Sequence, residues 1–190
     1  LLLDAGRADM RDLLDAQERV VIASSTRSTD MPTTPGNIQG GNANGQDGYI
    51  ARFNSDLSVL LYGSYFGGFG EDAIYSEALR PDGALVLCGG TTSTDLPTTP
   101  GVVGPTYAGG SADAFLLILP PDLNSIAACS YWGSSAYDQA YFVELDEADQ
   151  VYIFGQTAAP VGELIANAPY NVPAGGQLLT KFNSDLTNTI

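Results

Sequence analysis

Ser28-Thr29-Asp30-Met31-Pro32-Thr33-Thr34-Pro35-Gly36 recurs 65 residues later as Ser93-Thr94-Asp95-Leu96-Pro97-Thr98-Thr99-Pro100-Gly101, with one conservative replacement in nine positions. Proline lacks a backbone donor and fixes φ, so a segment with this spacing of prolines is a loop rather than a helix or an interior strand. A loop that recurs nearly unchanged predicts that the elements around it recur as well.

The register of the repeat is supported by landmarks of different types. Three pairs of residues are 66 positions apart: Asp47 and Asp113, Asp72 and Asp138, and Thr91 and Thr157. The turn Asn54-Ser55-Asp56 also returns unchanged as Asn183-Ser184-Asp185. Apolar segments of strand length separate the landmarks, four to each period, and short polar turns join them.

Four-stranded units in tandem predict an all-β fold, and specifically a β-propeller with antiparallel blades of about 65 residues. The predicted blades are residues 1–66, 67–132 and 133–190, the last with an incomplete fourth strand. Because propellers have about four to eight blades, these three are expected to be part of a larger ring. Further blades of a longer chain or an adjoining subunit would complete it.

Short turns and long loops should lie at opposite ends of the strands. Short turns are predicted at residues 16–18, 54–56, 81–83, 120–122, 147–149 and 183–185. The recurring proline-rich loop and the glycine-rich corners at 67–72 and 133–138 would then share the other end. That end is the expected binding surface, since long loops on a rigid frame commonly carry function.

Residues 65–72 read Tyr-Phe-Gly-Gly-Phe-Gly-Glu-Asp, which resembles the Y-x-G-G-x-G-x-D segment of the SBBP-type bacterial β-propeller repeats. The turn Pro81-Asp82-Gly83, the proline-rich loop and residues 110–115 (Gly-Ser-Ala-Asp-Ala-Phe) are similar to the same repeat, so the resemblance covers nearly the whole chain. Members of that family are mostly large secreted or surface-exposed bacterial proteins. The resemblance implies that location here and implies no catalytic activity.

Composition narrows the classes of partner. The net charge is −15 and the pI is near 4.1, which disfavours nucleic acid and anionic membrane surfaces, because both bind lysine and arginine. No apolar run approaches the length of a membrane span. Cys88 and Cys129 lie in predicted strands and are expected to be buried free thiols rather than a disulfide framework.

The four aspartates of the repeat, Asp47, Asp72, Asp113 and Asp138, are the candidates for binding a metal. Loop-edge carboxylates can contribute oxygen ligands to calcium, although the chain contains no EF-hand series. The alternative is that each aspartate caps a turn through backbone N–H groups, and recurrence at the repeat period favours this alternative. Structural calcium is the one cofactor that these aspartates suggest.

Candidate partner contacts are the loop residues Phe69, Tyr107, Tyr137, Pro160 and Tyr170, whose rings could pack against a protein or a glycan. The third copy reads Thr157-Ala158-Ala159-Pro160-Val161-Gly162 in place of the proline-rich loop, and Gly176 replaces the aspartate of the earlier copies. A site that breaks the repeat symmetry is therefore expected between Pro160 and Pro173.

Catalysis has little support in the sequence. The chain has no histidine, so Ser-His and Cys-His pairs and imidazole metal ligands are excluded. A glycosidase-type carboxylate pair remains, with Glu71, Asp72 and Glu77 as nominal members. The predicted function is thus a non-catalytic scaffold or binding module of a secreted or cell-surface bacterial protein. The alternatives are part of a carbohydrate-active propeller enzyme and a calcium-stabilised stalk.

Overall fold

The chain is all-β in the computed structural model, which describes residues 12–164 and 176–190. These residues form eleven strands and no helix. The strands are β1 Asp12–Leu14, β2 Val20–Thr26, β3 Asp47–Phe53, β4 Leu60–Phe66, β5 Asp72–Leu79, β6 Leu85–Thr91, β7 Asp113–Leu119, β8 Ala128–Trp132, β9 Asp138–Leu145, β10 Val151–Thr157 and β11 Gln177–Phe182. No helix in the described ranges is long and apolar enough to cross a membrane.

Neighbouring strands in the chain pair antiparallel to form three separate sheets. The first has the order β1-β2-β3-β4, the second β5-β6-β7-β8, and the third β11-β10-β9. The third sheet thus has three strands. After β11, the described residues add a single isolated β-bridge, between Thr189 and Phe182. The prediction of an all-β fold with antiparallel sheets is confirmed. The described residues do not close into a barrel or a ring, so the propeller itself stays a prediction.

Short turns join the strands at one edge of the sheets, at the six predicted places. In each turn a backbone N–H donates a hydrogen bond to the carbonyl oxygen three residues earlier. Examples are the N–H groups of Leu57, Leu123 and Leu186, which donate to the carbonyls of Asn54, Pro120 and Asn183, respectively. The three leucines all have φ near +60°. A bulky residue is rarely found at positive φ, so no residue preference predicts this conformation at the three positions.

The second sheet lies between the other two. Every residue of β6 and β7 is buried, and both strands are apolar along most of their length. Strands covered on both faces read as continuous apolar runs rather than alternating ones. We call the face of a sheet that points toward the next sheet in the chain its forward face, and the opposite one its back face.

Apolar side chains fill both interfaces. The back face of the second sheet places Leu87, Phe115 and Leu117 in one cluster with Val21 and Ile50 of the first sheet. The forward face of the second sheet contributes residues to a second cluster with the back face of the third sheet. Its members include Val86, Cys88, Leu116, Ile118, Ala140, Val143, Val151 and Ile153.

Polar contacts fix the sheets relative to each other at the turn edge. The Arg52 guanidinium of β3 donates to the Pro121 carbonyl oxygen at 2.8 Å, and Arg80 donates to the Ser184 carbonyl. Within the second interface, Val143 N–H donates to Ser76 Oγ at 3.2 Å. The expectation for the cysteines is confirmed, since Cys88 and Cys129 are both free and buried.

Candidate functional site

The long connections all leave the sheets at one edge, which we call the loop edge. It is defined by the register pairs Thr26 with Asp47, Thr91 with both Asp72 and Asp113, and Thr157 with Asp138. All four aspartates are fully buried, although they sit where the loops begin. A buried carboxylate must be compensated by hydrogen bonds or by a proton. The partners of these four therefore decide what the loop edge can do.

Asp72 is a hub for hydrogen bonds at the start of β5. Its Oδ1 accepts from the Thr91 hydroxyl, and its Oδ2 accepts from Gly68 N–H at 2.8 Å and from the Ser93 hydroxyl at 2.7 Å. These donors come from the preceding corner, from β6 and from the loop that follows it. One carboxylate thus holds three segments together.

Asp138 repeats this hub at the start of β9. Its Oδ1 accepts from the Thr157 hydroxyl, and its Oδ2 accepts from Ser134 N–H at 2.7 Å and from the Ser134 hydroxyl at 2.6 Å. The threonine hydroxyls in turn accept backbone N–H groups two residues on, at 2.8 Å for Thr91 and 2.9 Å for Thr157. The Asp–Thr unit is a turn cap, as the recurrence of these aspartates indicated.

Asp47 and Asp113, which begin β3 and β7, are bonded on one oxygen only. Asp47 Oδ2 accepts from Ala43 N–H at 2.6 Å and Gln39 Nε2 at 3.0 Å, while Asp113 Oδ2 accepts from Ala108 N–H at 2.5 Å. The Oδ1 atoms of both carboxyls are buried without a hydrogen-bond partner among the described residues.

The carboxyl groups of Asp47 and Asp113 lie next to the hydrogen-bonded aspartates of the following sheet, Asp72 and Asp138, respectively. A Cβ at Gly67 would lie 2.7 Å from Asp72 Oδ2 and 2.8 Å from Asp47 Oδ1, so only glycine fits between the two groups. Backbone bonds join the sheets at the same level, from Asp72 N to Gln46 O at 2.6 Å and from Asp138 N to Ala112 O at 2.8 Å. Each interface between sheets therefore ends in a buried pair of carboxyls at the loop edge.

Burial raises the pKa of three of these carboxyls. Burial raises the pKa of Asp47 to about 6, and the charge of Asp72 adds to the rise against the lowering effect of the Ala43 N–H. Burial likewise raises the pKa of Asp113 to about 6, with the Ala108 N–H lowering it and Asp138 raising it. Burial also raises the pKa of Asp72. Desolvation disfavours the charged carboxylate in each case.

The geometry does not bring the four metal candidates into one site. They form two separate pairs, one at each interface, and no group of three or more metal-ligating side chains occurs in residues 12–164 and 176–190. Calcium takes six to eight oxygen ligands, whereas both oxygens of the hub aspartates already accept protein donors. Structural calcium stays a prediction, and the contacts that are present give these aspartates a structural role.

The recurring proline-rich loop is held against its own sheet rather than projecting from it. Thr34 N–H donates to the Gly63 carbonyl and Thr99 N–H donates to the Cys129 carbonyl, both at 3.1 Å. The loop thus runs along the outer strand, β4 in the first sheet and β8 in the second. An outer strand covered in this way does not expose its unpaired backbone groups. The expectation that this loop belongs to the binding surface stays a prediction.

A buried tyrosine clamps each copy of the loop. Tyr65 Oη accepts from Met31 N–H at 2.8 Å and donates to the Ser28 carbonyl at 2.9 Å. Tyr131 Oη accepts from Leu96 N–H at 2.8 Å and donates to the Ser93 carbonyl at 2.9 Å. The two hydroxyls explain why the Ser-Thr-Asp-x-Pro segment recurs together with a tyrosine.

We expect Tyr131→Phe to lower the free energy of unfolding by about 2 kcal/mol, because the Leu96 N–H and the Ser93 carbonyl would stay buried without a partner. Tyr65→Phe should cause a similar loss. Tyr152→Phe is the control, since the Tyr152 hydroxyl bonds Asp146 near the surface, and its effect should stay within about 0.5 kcal/mol. Urea denaturation measures all three variants. Equal stabilities of Tyr131→Phe and Tyr152→Phe would contradict the clamp.

The corner between the first and second sheets presents one apolar ring to solvent. The backbone N–H groups of Phe69, Gly70 and Glu71 donate to Asp95 Oδ1 at 3.1 Å, Ser93 Oγ at 2.8 Å and Thr92 Oγ1 at 2.8 Å, respectively. The Phe69 side chain is nevertheless 76% exposed. An exposed phenyl ring on a fixed backbone is the strongest feature for recognition at the loop edge.

The other aromatic candidates are held more tightly. Tyr107 stacks edge-on against Tyr131 with ring centroids 5.8 Å apart. The Tyr137 hydroxyl lies 3.3 Å from that of Tyr141. Both rings are only partly exposed, so their main contacts are within the protein. Tyr170 lies outside the described residues, as does most of the segment from Pro160 to Pro173.

The third loop is rebuilt around different residues. Pro160 is exposed and begins a turn in which its carbonyl accepts Glu163 N–H at 3.2 Å. Glu163 accepts from Ser135 N–H at 2.9 Å, as Asp95 accepts from Phe69 N–H at the preceding corner. Sequence reasoning missed this role of Glu163, because the proline-rich motif that aligns the other copies is absent.

The nominal glycosidase carboxylates are not arranged as a catalytic pair. Glu71 makes an ion pair with Arg27 at 2.6 Å on the surface, and Asp72 is the buried hub described above. Glu77 is buried within β5. An acid and a nucleophile would both need access to a substrate, and neither Asp72 nor Glu77 is accessible.

Comparison with known proteins shows similarity to solved structures but not to a known family. No protein-family model matches the chain, and no curated protein matches it. Among solved structures, a mutant of the apocarotenoid oxygenase of Synechocystis is similar, with 14% sequence identity and a TM-score of 0.40 over 92% of this chain and 34% of that chain. The chain thus spans about a third of the length of that enzyme.

The prediction that the chain is not an enzyme does not hold, and the similar structure just described is that of an oxygenase. That prediction rested on the absence of histidine and on the SBBP resemblance, and neither can separate enzymes from binding modules, because one fold hosts both. A TM-score of 0.40 at 14% identity assigns no activity, substrate or cofactor to this chain. The family resemblance also stays a prediction.

Proposed function

We propose that the chain is a binding module built from propeller-type repeats, which presents its loop edge to a protein or a glycan. In this proposal each sheet is one blade, and the corner at residues 67–71 makes the principal contact. One observation carries the proposal: the Asp–Thr caps repeat at the loop edge, whereas the exposed Phe69 is replaced by Ser135 at the equivalent corner. A repeated frame with one distinctive exposed residue is the arrangement expected of a recognition surface.

The charge of the chain and the family resemblance support an extracellular setting for this role. A net charge of −15 keeps a β-rich protein soluble and disfavours nonspecific contact with nucleic acid. We therefore propose that the module belongs to a secreted or surface-exposed bacterial protein. Its partners would be recognised by the apolar ring of Phe69 and by the acidic groups beside it, Glu71 and Asp95.

Phe69→Ser tests the proposal, because serine is the residue at the equivalent position, 135, of the next corner. Wild type and variant would be screened against an array of bacterial and host glycans and against a displayed peptide library. We expect ligands whose affinity falls about tenfold or more in the variant, as for an aromatic residue at the centre of an interface. Since Phe69 is exposed, stability should not change.

Leu57→Asn is the matched control. Leu57 is also exposed, at 59%, but lies on a short turn at the opposite edge, and asparagine tolerates its positive φ. Ligands of the loop edge should bind this variant as well as wild type. If every ligand found binds the Phe69→Ser variant as tightly as wild type, the loop edge is not the binding surface.

A further inference from the structure

The first strands of the second and third sheets each carry a tyrosine at a β-bulge. Tyr75 is left out of the register between β5 and β6, which shifts between Ile74 and Ser76. Tyr141 takes the same place in β9, 66 positions later, and is left out of the register with β10. The two rings are tilted against each other, with centroids 5.4 Å apart. β5 and β9 are edge strands of their sheets, and a bulge at an edge commonly re-aims a side chain toward a functional site.

Hydrogen bonds hold the tyrosine pair in place without using a charged group. The Tyr137 hydroxyl lies 3.3 Å from that of Tyr141, which donates to Gln156 Oε1 at 3.1 Å. Burial raises the pKa of Tyr75 and of Tyr137, and the neighbouring Tyr141 adds to both shifts. All three hydroxyls are therefore neutral at ordinary pH. The rings of Tyr75 and Tyr141 remain partly exposed.

A row of glutamines lies beside the tyrosine pair and breaks the symmetry of the repeat. Gln156 of β10 pairs with Gln139 of β9 and with Gln177 of β11. The equivalent positions hold small residues: Ala73, Gly90 and Ala114 in the second sheet, and Ser25 and Gly48 in the first. Gln156 and Gln177 are exposed, whereas Gln139 reaches back to Gly90, where a Cβ would lie 2.7 Å from its Nε2. Because two sheets are built without these amides, the frame itself does not require them.

We propose that the tyrosine pair and the glutamine row form a binding site for a neutral glycan. Tyrosine offers an apolar ring face together with a polar hydroxyl, and a sugar ring presents both kinds of surface. A glutamine amide donates and accepts hydrogen bonds, as sugar hydroxyls do. Gln156 uses only its Oε1 among the described residues, so its NH2 group is available to a ligand. The set contains no charged side chain, which suits a neutral ligand better than an anionic or a cationic one.

Isothermal titration calorimetry with neutral oligosaccharides of glucose, galactose, mannose and N-acetylglucosamine tests this site. We expect at least one of them to bind the wild-type chain, and Gln156→Ala and Tyr141→Ala each to weaken that binding about tenfold or more. Gln156 is exposed, so its variant should fold as wild type does, which circular dichroism would verify. Gln17→Ala is the matched control, since Gln17 is an exposed glutamine in the turn between β1 and β2 at the opposite edge. It should bind the same oligosaccharide as tightly as wild type.

The proposal is overturned if none of these oligosaccharides binds, or if Gln156→Ala binds as tightly as Gln17→Ala. Tighter binding of choline than of every oligosaccharide would also overturn it, because the rings would then form a cage for a cation. Phe69→Ser should leave the binding unchanged, since this site uses other residues than the corner at 67–71. An oligosaccharide that is weakened by Phe69→Ser and not by Gln156→Ala would support the proposed corner and contradict the present site.

Discussion

Asp72→Ala is expected to lower the free energy of unfolding by about 3–5 kcal/mol, since three donors would lose their acceptor in a buried site. These donors are the hydroxyls of Thr91 and Ser93 and the N–H of Gly68. Such a loss is a large part of the about 5–15 kcal/mol that stabilises a typical domain. Urea denaturation followed by circular dichroism would measure it.

The repeat provides both a replicate and a control for this prediction. Asp138→Ala removes the equivalent hub in the third sheet and should cause a loss of the same size. Asp30→Ala removes an exposed carboxylate from the same edge and should change stability by no more than about 0.5 kcal/mol. If Asp72→Ala were no more harmful than Asp30→Ala, the carboxylate would not be holding the corner, the strand and the loop together.

Stability should increase as the pH is lowered from about 7.5 to about 5. Asp47 and Asp113 have pKa values raised to about 6, against 3.8 for an ordinary aspartate. The folded state therefore binds protons more tightly than the unfolded state. Their contribution is fully present below about pH 4 and is lost as the pH rises through 6. Each site contributes on the order of 3 kcal/mol in full below about pH 4, of which on the order of 1.4 kcal/mol is gained between pH 7.5 and pH 5.

The remaining acidic groups do not reverse the trend within this window. Hydrogen bonds lower the pKa of Asp56, Asp185 and Glu163, so these groups reduce stability only at lower pH, below their ordinary titration range. Burial raises the pKa of Asp72, which acts in the same direction as Asp47. Acid unfolding is thus expected below about pH 4, where the hydrogen-bonded carboxylates become protonated.

Asp47→Asn combined with Asp113→Asn should flatten the pH profile. Each asparagine stays neutral and can donate toward Asp72 or Asp138, so the double variant should be the more stable protein at pH 7.5. An unchanged pH dependence would exclude the paired carboxyls as its origin. EDTA should leave the wild-type melting temperature unchanged at pH 7.5. A marked decrease would show that a bound cation, rather than a proton, neutralises the pairs.

The repeat pattern predicted the strands and turns well, because proline, glycine and alternating apolar residues act locally. The turns at 54–56 and 81–83 follow from such local signals. The positive φ of Leu123 does not, because backbone preferences disfavour a bulky residue there, and the exposed Leu57 adopts the same φ in the equivalent turn.

The site was predicted less completely than the fold. The four aspartates were found from their spacing, and recurrence correctly favoured turn caps. Their grouping in pairs could not be predicted, since Asp47 and Asp72 meet only through the packing of two sheets around Gly67. The proline-rich loop was assigned to the binding surface because its length was visible in the sequence, whereas the Tyr131 clamp depends on a strand 35 residues away.

Amide hydrogen exchange within the recurring proline-rich loop is the most direct test of whether this loop is fixed to its sheet. If it is fixed, the loop belongs to the rigid frame, and recognition is left to the corner at residues 67–71 beside it. The N–H groups of Leu96, Thr99 and Gly104 donate to Tyr131 Oη, the Cys129 carbonyl and Ser130 Oγ, respectively. They should exchange as slowly as amides in β7, at rates set by global unfolding. Exchange at the rate of an unstructured peptide would contradict the account, since the loop would then be free of its sheet.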